Sequence, residues 1–378
     1  MKIVELAGLG AAPYGCMMLA DMGADVVRID RPGGSPDTPD PSPLLRNRRS
    51  IALDLKRPQA VEIVLALAAK ADALIEAFRP GVAERLGVGP EVCLARNRAL
   101  VYGRMTGWGQ GGPLAQKPGH DLNYIGLAGV LHQIGPTGGK PVVPLNLIGD
   151  FGGGGLLLAF GVVCALLEAR RSGRGQVVDA AMLDGALSFM AMALGYRALG
   201  QFADRTGADL LAGAAHYYDV YETSDGKHLA VAAIEPQFYA ALIEKLRVEK
   251  GRFLPAGFPN LSAETVQRDW PALKAELAAL FRTRTRDAWC ALFEESEACV
   301  TPVLTLAEAA EHPHNRARSA FVEIDGVVQQ APAPRFSRTP AALPSAPRAA
   351  GADVDAVVAD WQLDPELIAR ARASGALT

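Results

Sequence analysis

The sequence predicts an α/β protein: a large domain built on a parallel sheet, followed by a smaller α+β domain. Three observations carry that expectation. Short β-rich runs alternate with helical patterns through the first hundred residues, the order that makes parallel strands joined by helical crossovers. A polar, mixed stretch over 200–214 then interrupts the pattern. Beyond it, two β-rich runs at 217–222 and 227–232 flank Ser224-Asp225-Gly226, a hairpin signal.

The elements follow in order. Strand 3–6 leads into a helix over about 13–22, and 25–29 is a second strand. Residues 50–55 read as a third strand, followed by a helix over 58–70. The short apolar run 73–75 and the run 100–105 complete the strand candidates. Two helices are expected at 152–171 and 178–199. In the small domain, helices start near 236 and 269. After Pro302 the chain becomes rich in Pro and Ala, with a short last helix at 365–373. A segment so poor in pattern cannot build a core of its own. The expected division is therefore 1–199 for the large domain, 200–214 as a linker, 215–305 for the small domain, and 306–378 returning to the large one.

Composition narrows the function. The chain has 378 residues, room for two or three domains at about 150 residues each. Lys and Arg total 38 against 41 Asp and Glu, a net charge of −3, which argues against a general nucleic-acid binder. Hydrophobic residues make up 49% and charged residues 21%, so an ordinary core is available and disorder is not expected. Five scattered cysteines (Cys16, Cys93, Cys164, Cys290 and Cys299) form no C-x-x-C pair, which suggests a reduced, cytoplasmic protein. No export signal is expected, because the chain runs straight into its first strand. The longest apolar stretch, 151–167, is shorter than the ~20 residues of a membrane span, so a buried core helix and no membrane insertion are expected. His312 and His314 are the one close histidine pair; they sit beside proline with no third ligand nearby, so no metal site is expected. No G-x-S-x-G elbow of a serine hydrolase is present.

Gly8-Leu9-Gly10-Ala11-Ala12-Pro13 follows a strand and opens a helix, and Asp30 ends the second strand about 20 residues on. This resembles a dinucleotide fingerprint and supports a Rossmann-like sheet. The third glycine is replaced by Pro13, whose ring prevents close helix–strand packing there, so NAD binding is disfavoured. Arg31, directly after Asp30, suits a phosphate better than a ribose hydroxyl.

Three clusters could carry chemistry. The first is Gly119-His120-Asp121-Leu122-Asn123-Tyr124, in a polar stretch before an apolar run. The second is Gly149-Asp150 followed by Phe151 and four glycines, where an extended stretch over 141–148 opens the most apolar helix. The third is Glu235-Pro236, where a strand turns into a helix. Each has an ordinary reading. Asp150 and Glu235 could be helix-start acids, and a lone histidine is usually a loop or core residue. The glycine run distinguishes Asp150, because it would let another molecule approach the backbone closely.

With the rest of the chain, these clusters resemble the family III CoA-transferase (CaiB/BaiF) superfamily, and within it the racemases of α-methylacyl-CoA thioesters. The resemblance covers nearly the whole chain; residues 247–265 match nothing in the pattern. The opening Val4-Glu5-Leu6-Ala7-Gly8 and Gly23-Ala24-Asp25-Val26-Val27-Arg28 carry it. So do Arg46-Asn47-Arg48, Leu53-Asp54-Leu55-Lys56, Glu76-Ala77-Phe78-Arg79-Pro80-Gly81, Gly107-Trp108-Gly109-Gln110 and Gly173-Arg174-Gly175-Gln176. These segments are shared by racemases and transferases, so they imply fold and CoA use. Transferases of the superfamily keep the Asp of the second cluster as a nucleophile and generally lack the Gly-His-Asp of the first. Racemases pair that His with that Asp.

The resemblance thus implies catalytic roles for His120, Asp150 and Glu235, the last supporting the imidazole. It implies CoA or substrate contacts from Arg31, Leu53, Asp54, Leu55, Lys56, Glu76, Arg79, Arg85, Arg104, Gly119, Asp121, Asn123 and Tyr124. It also implies an interlocked homodimer, each site lying between the large domain of one chain and the small domain of the other. The reaction implied is interconversion of (2R)- and (2S)-2-methylacyl-CoA with no cofactor, CoA being part of the substrate. One base on each face of the α-carbon suffices if the pair shares one proton. The amides after Asp150 are candidates for an oxyanion hole toward the enolate. Met182, Met190 and Met192, on one expected helix, would suit a variable acyl chain or plain core. Two rivals remain: a CoA-transferase with Asp150 as nucleophile, and a non-catalytic CoA-binding protein.

Overall fold

The computed structural model describes residues 1–34, 42–257 and 264–378. Part of the unmatched segment 247–265, residues 258–263, lies outside the described residues. The chain divides into two compact units. One is Met1–Ala128, Pro144–Phe189 and Arg318–Thr378; the other is Gly129–Val143 and Met190–Ala317.

The first elements in chain order are β1 (Lys2–Leu6), α1 (Ala11–Asp21), β2 (Asp25–Asp30), β3 (Arg48–Ala52), α2 (Pro58–Ala68) and β4 (Ala73–Glu76). Next come α3 (Val82–Arg85), α4 (Pro90–Arg96), β5 (Val101–Thr106), α5 (Asp121–Leu127) and α6 (Val130–Gln133). A π-helical segment, Leu147–Leu156, runs into α7 (Leu157–Ser172), followed by β6 (Val177–Ala181), α8 (Met182–Ser188) and α9 (Ala191–Ala198). The second unit continues with β7 (Tyr218–Glu222), β8 (His228–Ala232), α10 (Pro236–Leu246), α11 (Lys250–Phe253), α12 (Glu264–Phe281), α13 (Arg286–Phe293) and β9 (Val300–Val303). The chain ends with α14 (Leu306–Glu311), α15 (Pro313–Ala317), β10 (Phe321–Ile324), β11 (Val327–Gln330), α16 (Val354–Asp360) and α17 (Pro365–Ala373).

In the first unit six parallel strands pair in the order β3-β2-β1-β4-β5-β6. Side chains alternate between its two faces, as the two-residue period of a strand requires. Val4, Leu6, Val27, Ile29 and Leu74 point into a core with α2, α16 and α17, including Ile63, Leu67 and Trp361. Ile3, Val26, Ala73, Ile75 and Val101 point into a second core with α1 and α7. Both faces are therefore covered, which is why apolar residues stand on both sides of the strands, with Glu5, Arg28, Arg48 and Arg104 buried among them. The strand order changes direction between β1 and β4. In open α/β sheets, that switch point at the carboxyl ends of the strands is where ligands bind.

The second unit has a three-stranded antiparallel sheet, β7-β8-β9. It packs with α10, α12 and α13 around Tyr221, Tyr239, Trp270, Phe281 and Trp289. His216 is buried in this aromatic core with Nε2 2.6 Å from the Tyr239 hydroxyl, and burial pulls its pKa down to about 3, so it is neutral at pH 7.

Three local expectations are corrected. The expected helix over 178–199 divides: its start pairs with β5 as the edge strand β6, and α8 and α9 are separate helices. Met182 lies on α8, Met192 on α9 and Met190 between them, so the three methionines share no helix. Ladder bonds to β5 override the helical period of that segment. The third strand is shorter than expected and ends at Ala52. The apolar helix begins earlier than expected. With the π-helical segment it forms a 26-residue run, Leu147–Ser172, which by length and composition alone is long and apolar enough to cross a membrane. Its inward side packs on α1, β5 and β6, as a sheet-covering helix does.

Candidate active site

Asp150 lies in the first turn of the π-helical segment. Such segments, with bonds from residue i to i+5, occur frequently at functional sites. The glycines that follow Asp150 serve the chain itself. A Cβ on Gly155 would stand 2.3 Å from the Ala11 carbonyl oxygen, and one on Gly153 would stand 2.6 Å from the Ala186 nitrogen. The backbones of α1 and α8 occupy the space expected for another molecule. Glycine is required at these positions because two helices touch the segment at backbone distance. Gly10, just past the carboxyl end of β1, lies against the Asp150 carboxyl, which places that carboxyl at the switch-point end of the sheet.

His120 is the N-cap of α5. Its backbone N–H donates to Asn123 Oδ1 at 3.0 Å, and its carbonyl accepts from the Asn123 N–H at 2.8 Å. The imidazole is exposed, while Asp121 beside it is buried. Asp121 Oδ2 accepts from the backbone N–H of Gly149 at 2.6 Å and of Asp150 at 2.7 Å. These two bonds tie the start of α5 to the turn that carries Asp150. Tyr124, one turn along α5, is buried edge-on against Trp108, ring centroids 4.7 Å apart, and Gly119 backs onto both rings.

The Asp150 carboxyl is held above its ordinary pKa. Burial is the main cause; the charge of Asp121 also raises it. A hydrogen bond from Asn146 Nδ2 to Asp150 Oδ2, 3.1 Å, and the charge of His120 oppose the shift. The carboxyl therefore keeps its proton to higher pH than a solvated aspartate does.

Most of the expected oxyanion donors are already committed within the protein. The Asp150 N–H is already given to Asp121. From Gly152 onward, each amide has an acceptor five residues back within the segment. A bonded amide has no hydrogen left for an enolate oxygen.

The CoA candidates fall into two groups. Arg31, Lys56, Arg79 and Arg85 are exposed. Glu76 and Arg104 are buried and paired, Nε to Oε1 at 2.8 Å, with Glu84 on the outer side of the guanidinium at 2.8 Å. Glu76 Oε2 also accepts the Phe78 N–H at 2.6 Å. Leu53 is buried, and Asp54 accepts the Lys56 N–H at 3.1 Å with Leu55 half-buried beside it. Glu235, in the second unit, is exposed at the N-cap of α10.

Sequence reading missed Asn146 and Trp108 as parts of the site. Asn146 stands four residues before Asp150, a helical-neighbour spacing. It reads as a partner only once the helix is known to begin at Leu147 rather than Gly152. Among the described residues, no group of three or more His, Cys, Asp or Glu side chains could hold a metal ion.

A half-buried carboxylate at the switch point of a doubly covered parallel sheet stands where α/β enzymes place their ligands. Residues 1–354 match the model of CoA-transferase family III, and the chain belongs to that family. It is 45% identical over 350 residues, 92% of its own length and 88% of the relative's, to the alpha-methylacyl-CoA racemase of Mus musculus. It is 42% identical over 346 residues, 91% of this chain and 87% of the relative, to the Homo sapiens protein of the same name. The crystal structure of a CaiB/BaiF family protein from Brucella suis superposes with a TM-score of 0.80 at 26% identity, over 96% of this chain and 98% of that one.

Proposed function

We propose that the protein is an α-methylacyl-CoA racemase that interconverts (2R)- and (2S)-2-methylacyl-CoA thioesters. One observation carries the reading. Asp121 bonds the α5 start, which bears His120, to the turn bearing Asp150, whose carboxyl is raised mainly by burial, and this supports a site shared by an imidazole and a carboxyl. In one direction neutral His120 takes the α-proton and the C–H electron pair passes into the enolate. Protonated Asp150 then gives its proton to the opposite face of the α-carbon. In the other direction Asp150 is the base and the imidazolium the acid. The pair holds one proton before and after each turnover, so no outside acid, base or cofactor is needed. A transferase would use Asp150 as a nucleophile and gives His120 no part. The exposed Arg31, Arg79 and Arg85 would meet the CoA phosphates.

The test is α-hydrogen exchange. A single enantiomer of a 2-methylacyl-CoA in heavy water, with no acceptor acid, is expected to lose its α-hydrogen and racemise. Exchange that appears only with an acceptor acid, or not at all, would sink the racemase reading. The rate should be bell-shaped in pH, because the pair fails with two protons and with none. Its acid limb should lie above the range of a solvated aspartate, since the Asp150 carboxyl is raised.

We also read the protein as a homodimer. Leu156, Phe160, Val163 and Leu167 recur every three or four residues and are all exposed, forming one apolar stripe on a helix whose other side is buried. Sedimentation over a dilution series should show dimer at working concentration. Folded, fully active monomer persisting there would contradict it.

A further inference from the structure

The geometry points to Asp121 as the positioning residue of the Asp150 base: its buried carboxylate fixes the turn that aims Asp150. This deepens the proposed reaction and rests on that reading. The first amides of a helical segment have no acceptor within it. Here two of them, on Gly149 and Asp150, converge on one oxygen, Asp121 Oδ2, at 2.6 and 2.7 Å. The second bond is made by the backbone of Asp150 itself. The contact is built at the expense of a side chain at residue 149, where a Cβ would stand 2.6 Å from Oδ2. Asp121 is 5% exposed, and its other oxygen, Oδ1, is buried with no hydrogen-bond partner among the described residues. That carboxylate is not placed for solvent. It faces the π-helical turn on one side and leaves one acceptor unmatched on the other.

Two consequences follow from one group. The first is geometric: without the two bonds, the turn can shift, and a misplacement of about 1 Å can cost ~100-fold in rate. The second is electrostatic. Asp121 is a negative charge near Asp150 and favours its protonated form. His120 on α5 acts in the opposite direction, and Asn146 donates to the ionised carboxyl. Tyr124, also on α5, is influenced by both Asp121 and Asp150. From α1, Tyr14 stacks on Phe151 at 4.8 Å between ring centroids, and α8 lays Met182, Gly185 and Ala186 against the segment.

Three variants separate these effects. Asp121→Asn keeps an oxygen for the amides and removes the charge. Its kcat should fall less than that of Asp121→Ala, while the acid limb of the pH–rate profile moves to lower pH, because the Asp150 proton is then held less tightly. Asp121→Ala removes the clamp. Its kcat should fall ~100-fold with KM for the thioester nearly unchanged. Amide exchange over 147–156, read by mass spectrometry without substrate, should accelerate in this variant. Gly149→Ala keeps every charge but displaces the carboxylate, and should match the kcat loss if Asp121→Ala does not fold. Unchanged kcat and unchanged 147–156 exchange in Asp121→Ala, or a pH profile unmoved in Asp121→Asn, would overturn the assignment. Failure of the wild-type protein to exchange the α-hydrogen would instead overturn the racemase reading, leaving the amide-exchange result to stand alone.

Discussion

Replacing Asp150 with Asn, or His120 with Ala, should abolish racemisation while leaving CoA thioester binding within a few-fold of wild type. General acid–base groups contribute roughly 100- to 10,000-fold each. Both groups act in every racemisation event, one as acid and one as base, so each single variant should lose the full reaction rather than half of it. The two variants should differ in what they retain. A base left on one face can still remove and return a proton on that face. Asp150→Asn should therefore exchange the α-hydrogen of one enantiomer slowly, with retention, and His120→Ala the other. The measurement is deuterium incorporation into each pure enantiomer, followed by chiral separation. Two variants that prefer the same enantiomer would place both groups on one face and refute the two-base scheme. The expected loss is the largest among these site variants, because Asp150 sits half-buried at the switch point with its carboxyl raised by burial.

Arg46→Ala should destabilise the first unit by ~3–5 kcal/mol, the usual effect of removing one partner from a buried ion pair. Arg46 is fully buried. Its Nε and Nη2 reach both oxygens of Asp21, at 3.1 and 2.5 Å, and its Nη1 donates to Gln329 Oε1 and the Gln330 carbonyl, at 2.9 and 2.7 Å. One side chain thus joins the end of α1 to the hairpin β10–β11 near the other end of the chain. Without it, the buried Asp21 carboxylate keeps, among the described residues, the Asn47 amide at 2.7 Å. Urea denaturation monitored by far-UV circular dichroism should show the shift. Replacing both partners, Asp21→Leu with Arg46→Met, should recover most of it, because what costs energy is the unpaired charge, not the absence of the pair. A single Arg46→Ala variant with wild-type stability would show that water reaches Asp21 and solvates it.

Much of this protein was legible before any coordinates. Alternating apolar runs and crossovers predict a parallel sheet, and the six parallel strands follow. By the resemblance, the Gly-His-Asp cluster, which transferases generally lack, points to the racemase-like members of the family, whereas the Gly-Asp cluster is common to both. The first strands and helices were readable because their patterns are local: a two-residue period, a 3.6-residue period, a proline at a helix start. The segment 178–199 failed for the opposite reason, since its β6 portion is a strand only because β5 lies beside it. The glycine run failed similarly. Four glycines announce a close approach but not the identity of what approaches, and here α1 and α8 fill the space. Asp121 shows the same limit. In sequence it is a polar neighbour of a histidine, and its hydrogen-bond partners stand 28 and 29 positions away.

The order of residues alone therefore settled which chemical groups are present, and local periodicity settled most of the strands and helices around them. Only the folded chain decided what each group faces. Asp121 meets two backbone amides, Arg104 is already taken by Glu76 and Glu84, and the amides from Gly152 onward are bound within their own helix. The physical reason is that hydrogen bonds and burial depend on distance in space, and residues far apart along the chain acquire that distance only when the sheet and its covering helices close around them.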